Sequence, residues 1–232
     1  MRRSLALVTL GLIAAVARPA SAGNLDARFG VFFPRAESSL FADDALLYRV
    51  NPKTDFDSFY GGAEYSFKLE RNLELGFHID GFGKNVNTTY RDYTRPNGSG
   101  IYQTLHLEEI PMGFSIRLVP TSRLAKIAPF VAVGADLIYW QYREYGDFID
   151  FSDPTLPVRS DSFVSDGVKG GLHGSGGVRF FLNHDIAIVV EGRYLWAPLV
   201  TMGGDFSPNG PGLENKIDLS GWSATFGFHI RF

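Results

Sequence analysis

The 232-residue sequence has no cysteine, so no disulfide or thiolate metal site contributes to its stability. It has no dominant charge either: 22 basic and 25 acidic residues leave a formal net charge of -3. No basic run occurs, which gives nucleic acid no footprint to bind. It also lacks any apolar run of about 20 residues, the length a membrane-crossing helix needs. What it has instead is 14% aromatic residues, 26 glycines and a mean hydropathy near zero. That mixture is odd for a soluble domain with a hidden core. It suits a chain that shows aromatic and aliphatic side chains to lipid and small or polar ones to its own interior.

The first 22 residues read as a cleaved signal peptide. Arg2 and Arg3 form a basic start, Ser4 to Ala17 is apolar, and Ala20-Ser21-Ala22 supplies the small-x-small pattern of a cleavage site. The mature domain is then 23–232. If that domain lies in a membrane, only a closed barrel remains possible, because every backbone polar group in lipid must be paired.

From Leu25 onward, apolar and polar residues alternate with period two in eight segments. Leu25, Ala27, Phe29, Val31 and Phe33 oppose Asp26, Arg28 and Gly30. Phe59 to Leu69 oppose Gly62, Glu64, Ser66 and Lys68. Leu73, Leu75, Phe77 and Ile79 oppose Glu74, Gly76, His78 and Asp80. The fourth segment runs through Ile110 to Leu118, the fifth through Val131 to Tyr139 with Asp136 opposite. The sixth puts Leu172, Val178 and Phe180 against His173, Ser175 and Arg179, and the seventh puts Ile186 to Tyr194 against Glu191 and Arg193. The eighth puts Trp222 to Phe232 against Ser223, Thr225, His229 and Arg231. The polar face is rich in Gly and Ser with isolated charges, as the crowded interior of a small barrel requires.

Short and long connections alternate along the chain. Glu70-Arg71-Asn72 and Asn183-His184-Asp185 read as tight turns, with Asn72 and Asp185 suited to left-handed positions, and Pro120 to Lys126 as a longer one. Loops are expected at 36–55, 94–101, 147–165 and 202–216. The fold class that follows is all-β: an eight-stranded antiparallel up-and-down transmembrane barrel with short periplasmic turns and long extracellular loops. Leu105 and Leu107 are out of phase with Ile110 and Met112, so a bulge is expected near Glu109-Ile110-Pro111. Trp196 and Trp222, each ten steps from an opposite end, are expected at the outer membrane interface.

The last eight residues, Thr225-Phe226-Gly227-Phe228-His229-Ile230-Arg231-Phe232, carry a polar residue, a glycine, a hydrophobic residue and a terminal aromatic at fixed spacing. In this the sequence resembles the eight-stranded outer-membrane barrel superfamily of the OmpA, OmpX and OmpW type. The resemblance covers the mature chain. It implies that Thr225, Gly227, Ile230 and Phe232 are a folding signal read by the barrel-assembly machinery. It implies as partners outer-membrane lipid and lipopolysaccharide, with periplasmic chaperones during biogenesis, and a Gram-negative outer-membrane location. No cofactor is implied.

Registering the segments through their turns sets Glu64 opposite His78, Lys68 opposite Glu74 and Ser175 opposite Arg193, with Arg179 diagonal to Glu191. These residues and Asp136 form the expected lumen network. Its signs nearly balance, unlike the one-sign ring of a selective pore. A plugged lumen and a structural or surface-interaction role follow. The alternative is a narrow transporter for small or hydrophobic molecules, as the OmpW resemblance implies. A further alternative is a lipid A-modifying hydrolase using His173, Ser175 and Glu191. The five histidines show no short ligand spacing, so no metal site is expected.

Overall fold

The computed structural model describes residues 23–121, 125–206 and 215–232. The proposed signal peptide, including Arg2, Arg3 and Ala20-Ser21-Ala22, lies outside the described residues. Eight long strands alternate in direction: β1 (Gly23–Pro34), β2 (Ser58–Glu70), β3 (Leu73–Thr94), β4 (Gly100–Leu118), β5 (Ile127–Ile149), β6 (Val158–Phe181), β7 (Ile186–Trp196) and, after two short strands β8 (Val200–Thr201) and β9 (Lys216–Ile217), β10 (Gly221–Arg231). Neighbours in sequence pair with one another, and β1 pairs with β10 to close the barrel. Helices α1 (Ser39–Leu47) and α2 (Pro52–Asp55) lie between β1 and β2. No helix among the described residues is long and apolar enough to cross a membrane; crossing is by strands.

The outward side chains of the lower barrel form an apolar belt. Phe59, Phe77, Phe114, Val133, Leu172, Val190 and Phe226 are all exposed. A belt of this kind on a closed sheet is the lipid-facing surface of a transmembrane barrel. Trp196 and Trp222 stand exposed at its upper edge, and Phe232 stands exposed at its foot.

The strands differ greatly in length. At about 3.3 Å per residue and a tilt of about 40°, β1 rises roughly 28 Å, enough for the belt. The 23 residues of β5 and 24 of β6 rise roughly 55 Å and project beyond it. Most of the expected loop 147–165 is therefore strand, and only 150–157 connects β5 to β6. The expected loop 94–101 shrinks likewise to 95–99.

The projecting part explains the phase change in β4. No bulge occurs at Glu109-Ile110-Pro111: β4 keeps one register against β5 throughout and the same register against β3 on either side of the proline. Only the ladder pairs to β3 at Ile110 and Pro111 are missing. Leu105 and Leu107 fall out of phase because they face inward and are fully buried. On the outside at that level His106 Nδ1 lies 2.6 Å from Asn85 Oδ1, and Thr104 donates to Asn87 at 2.9 Å. The backbone alternation continues unbroken while the environment of its two faces exchanges.

Register shifts occur instead between Lys68 and Glu70 in β2, where the turn tightens to Arg71-Asn72, and between Thr89 and Thr94 in β3. Neither Asn72 nor Asp185 has a positive φ; the non-glycine residues that do, among those described, are Ala36 and Leu156. At the β6–β7 turn the side chain of Asn183 holds the chain, accepting from the amides of Asp185 and Ile186 at 2.9 and 2.8 Å.

Candidate functional site

The interior divides into two chambers. The lower one, within the belt, is polar. Its residues come from even positions of β1, β2, β3 and β5 and odd positions of β4, β6, β7 and β10, which the strand alternation turns inward. Arg28 grips Asp80 with two nitrogens at 2.8 and 2.7 Å and reaches Glu64 at 3.0 Å. Arg117 bonds Glu64 at 2.8 Å and Asp26 at 3.1 Å. Arg179 bonds Glu74 at 2.9 Å and Asp26 at 3.2 Å. Arg193 reaches Asp80 at 3.1 Å and Glu191 at 3.2 Å. The ring of Phe130 lies between two guanidiniums, 4.6 Å from that of Arg117 and 5.3 Å from that of Arg179. All these charged side chains are buried. A buried ion pair needs good geometry and partners for its remaining polar atoms; the carboxylates have several contacts each, whereas Nε of Arg117 and Nε of Arg179 are buried without a partner among the described residues.

Backbone register and side-chain pairing diverge here. Glu64 does lie opposite His78, Lys68 opposite Glu74, and Ser175 opposite Arg193. Yet Glu64 bonds three arginines and not His78, while Arg179 bonds Glu74 and Asp26 and not Glu191. Long side chains cross the lumen to distant strands, and adjacent-strand register does not forecast that.

His173, Ser175 and Glu191 are not assembled as a triad. His173 Nδ1 lies 2.6 Å from Asp136 Oδ2, Glu191 is engaged by Arg193, and Ser175 Oγ is buried with no partner among the described residues. A serine hydroxyl is activated by a hydrogen-bonded base, and Ser175 has none among the described residues. The same geometry brings together a group that sequence spacing could not show: His78 Nε2 lies 2.7 Å from the other oxygen of Asp136. The three residues sit on β3, β5 and β6.

Of the expected folding-signal residues, Gly227 lies opposite Arg28, and a Cβ there would come within 2.0 Å of the Ala27 carbonyl oxygen. Thr225 faces inward and donates to the Glu191 carbonyl at 3.4 Å. Ile230 and Phe232 face outward.

The upper chamber is largely apolar, with Gln103 and Glu144 among its buried polar side chains. The segment 35–57 folds over its mouth and inserts Leu40, Phe41, Tyr48 and Phe56 among Leu105, Leu107, Ile138, Trp140 and Tyr142, all buried. Phe41 packs on Phe56 at 5.4 Å between ring centres. The fourth connection adds Met202, Ile217 and Leu219. Phe32, Tyr60 and Phe82 stack between the two chambers, Phe32 lying 4.9 Å from Phe82 and 5.8 Å from Tyr60. One acid of α1, Asp44, enters this chamber and accepts from Tyr142 Oη at 2.7 Å. Burial, and then the neighbouring Glu144 carboxylate, push its carboxyl well above the usual range.

No protein-family model and no curated protein sequence matches the chain. Solved structures do. OprG of Pseudomonas aeruginosa, an outer membrane protein, superposes with a TM-score of 0.55 at 14% identity, over 92% of this chain and 96% of that one. A major outer membrane protein of Thermus thermophilus gives 0.49 at 8% identity over 90% and 99%. Neisserial surface protein A gives 0.45 at 14% identity over 92% and 98%; nothing rests on these last two. The closed ring of eight antiparallel strands, its lipid-facing belt and the match to OprG together give the chain the fold of the small outer-membrane β-barrels.

Proposed function

We propose that this protein is an integral outer-membrane barrel with a closed lumen, acting without catalysis as a structural or surface-interaction protein. The observation that carries this reading is the plug. Aromatic and aliphatic side chains from segment 35–57 fill the upper chamber, where Phe41, Phe56, Ile138 and Tyr142 are buried to 1% exposure or less. An ion network closes the lower chamber beneath it. An interior just wide enough for side chains leaves no aqueous path when it is filled twice.

The surface role is supported by the hairpin tips. Tyr93 and Phe151 meet edge to face at 5.4 Å at the ends of the β3–β4 and β5–β6 hairpins, and both are exposed. Exposed aromatics grouped at a rim favour contact with another surface. Lipid and lipopolysaccharide surround the belt in this reading, and the barrel-assembly machinery inserts it. The test is conductance in planar bilayers. Silence is expected at high protein load; discrete single-channel steps would replace the closed lumen with the narrow-transporter reading.

A further inference from the structure

Among the described residues, five of the six carboxylates buried in the lower chamber meet a guanidinium: Asp26, Glu64, Glu74, Asp80 and Glu191. Asp136 meets none. Its two oxygens go to two imidazoles, His78 Nε2 at 2.7 Å and His173 Nδ1 at 2.6 Å. All three side chains are closed off from solvent, at 1% exposure or less. A charged carboxylate this deep needs a compensating cation.

The sheet is cleared to make room for the group. Gly113 lies opposite both His78 and Asp136 in the ladders, and a Cβ there would come within 2.7 Å of Asp136 Oδ1. Gly134 lies opposite His173, and its Cβ would come within 2.4 Å of that ring. The two rings stand nearly perpendicular, at 84°, so they do not stack but converge on one carboxylate. One ligand atom from each residue lies within 4.8 Å of the others.

We propose that His78, Asp136 and His173 form a buried binding site for one divalent first-row transition-metal ion, with zinc as the probe. Two imidazoles and a carboxylate are the donor set such ions take, whereas calcium and magnesium take oxygen alone. Metal–ligand distances of about 2.0–2.1 Å in tetrahedral geometry place ligand atoms roughly 3.3 Å apart. The rings therefore open modestly from their hydrogen-bonded positions. Each facing nitrogen gives up its proton on coordination. In a neutral ring that proton moves to the outer nitrogen; those atoms, Nδ1 of His78 and Nε2 of His173, are buried without a hydrogen-bond partner among the described residues. Asp80 Oδ2 stands 3.9 Å from His78 Nε2 but is held by Arg28 and Arg193. The ion ties β3, β5 and β6 together across the lumen and gives Asp136 its cation.

The test folds the full barrel into detergent micelles with zinc chloride, removes free ion by desalting and measures bound metal by mass spectrometry. One zinc per folded barrel is expected, with folding verified by the heat-dependent shift in gel migration. The double variant H78A/H173A should lose the ion. His229→Ala, whose imidazole bonds Asp26 elsewhere in the lumen, should keep it. His173→Asn, which retains a donor toward Asp136, should fold and lose stoichiometric zinc. Wild-type barrel loaded with cobalt(II) should show the intense visible absorption of tetrahedral coordination. Folded wild type without stoichiometric zinc, or with no such cobalt spectrum, overturns the proposal, as does undiminished zinc in folded His173→Asn.

Discussion

The two chambers of this barrel are built from the same strands on opposite principles. Below, β3, β4, β5 and β6 point Phe77, Phe114, Val133 and Leu172 outward and hold charges inside. Above, the same strands point Asn85, His106, Gln141 and Ser162 outward and hold Val86, Leu105, Leu107 and Trp140 inside. The switch happens within one step of each strand, between Ile110 and Glu108 on β4 and between Tyr139 and Gln141 on β5, which are cross-strand partners. The register of the strands does not change there, although Ile110 and Pro111 lack ladder pairs to β3. What changes is the solvent around the outer face, lipid below and water above, and the inner face takes whatever the outer face does not. A single sheet thus contains an inverted protein and an ordinary one end to end.

If this division is right, damage to each chamber should show in a different measurement. The largest effect is expected in the lower one. Arg117→Ala removes one guanidinium from Asp26 and from Glu64, leaving Asp26 to Arg179 and Glu64 to Arg28 and Arg193. Breaking a buried pair on one side costs about 3–5 kcal/mol, which urea unfolding from lipid vesicles, followed by tryptophan fluorescence, should report as loss of barrel stability. Phe41→Ala in the plug should cost about 3 kcal/mol, but locally. Limited proteolysis should cut segment 35–57 faster while the heat-dependent gel shift of the barrel stays unchanged. If Phe41→Ala instead lowers barrel stability as Arg117→Ala does, the chambers are one cooperative unit.

A matched pair on the outer face locates the boundary. Val133→Arg, in the belt, should cost about 2 kcal/mol or more on folding into lipid. Gln141→Arg, above the switch, should change stability by less than about 0.5 kcal/mol. Equal costs would erase the boundary. The smallest effect concerns pH. Burial and the neighbouring Glu144 raise the carboxyl of Asp44 above its unfolded value. Above the ordinary carboxylate range the unfolded segment has released a proton that the folded one keeps, so rising pH favours release of the segment. Amide exchange in segment 35–57 should quicken as pH climbs from about 5 to about 8, after correction for intrinsic rates, and Asp44→Asn should flatten that dependence.

Much of the lower chamber is legible in the sequence. Period-two alternation sorts its residues between lipid and lumen because a strand offers only two faces, and turn lengths then set the register that places Glu64 beside His78. The upper chamber is written in the same alternation with its phase reversed. Leu105 and Leu107 read as a bulge because a reader who assumes one solvent must explain a phase change by the backbone. Loop 147–165 reads as loop for a related reason: its polar outward residues are those of a strand in water. The metal-site candidate left no local trace, since His78, Asp136 and His173 come from three strands and meet only across the lumen.

Sequence alone determined the strand number, the closure of the sheet and the height of the belt, because lipid allows no unpaired backbone and alternation reveals which face meets it. Tertiary structure alone decided which arginine serves which carboxylate and which loop fills the mouth. It also decided that one aspartate is left to two histidines. Those choices depend on distances across the lumen, which the order of residues along a strand does not contain.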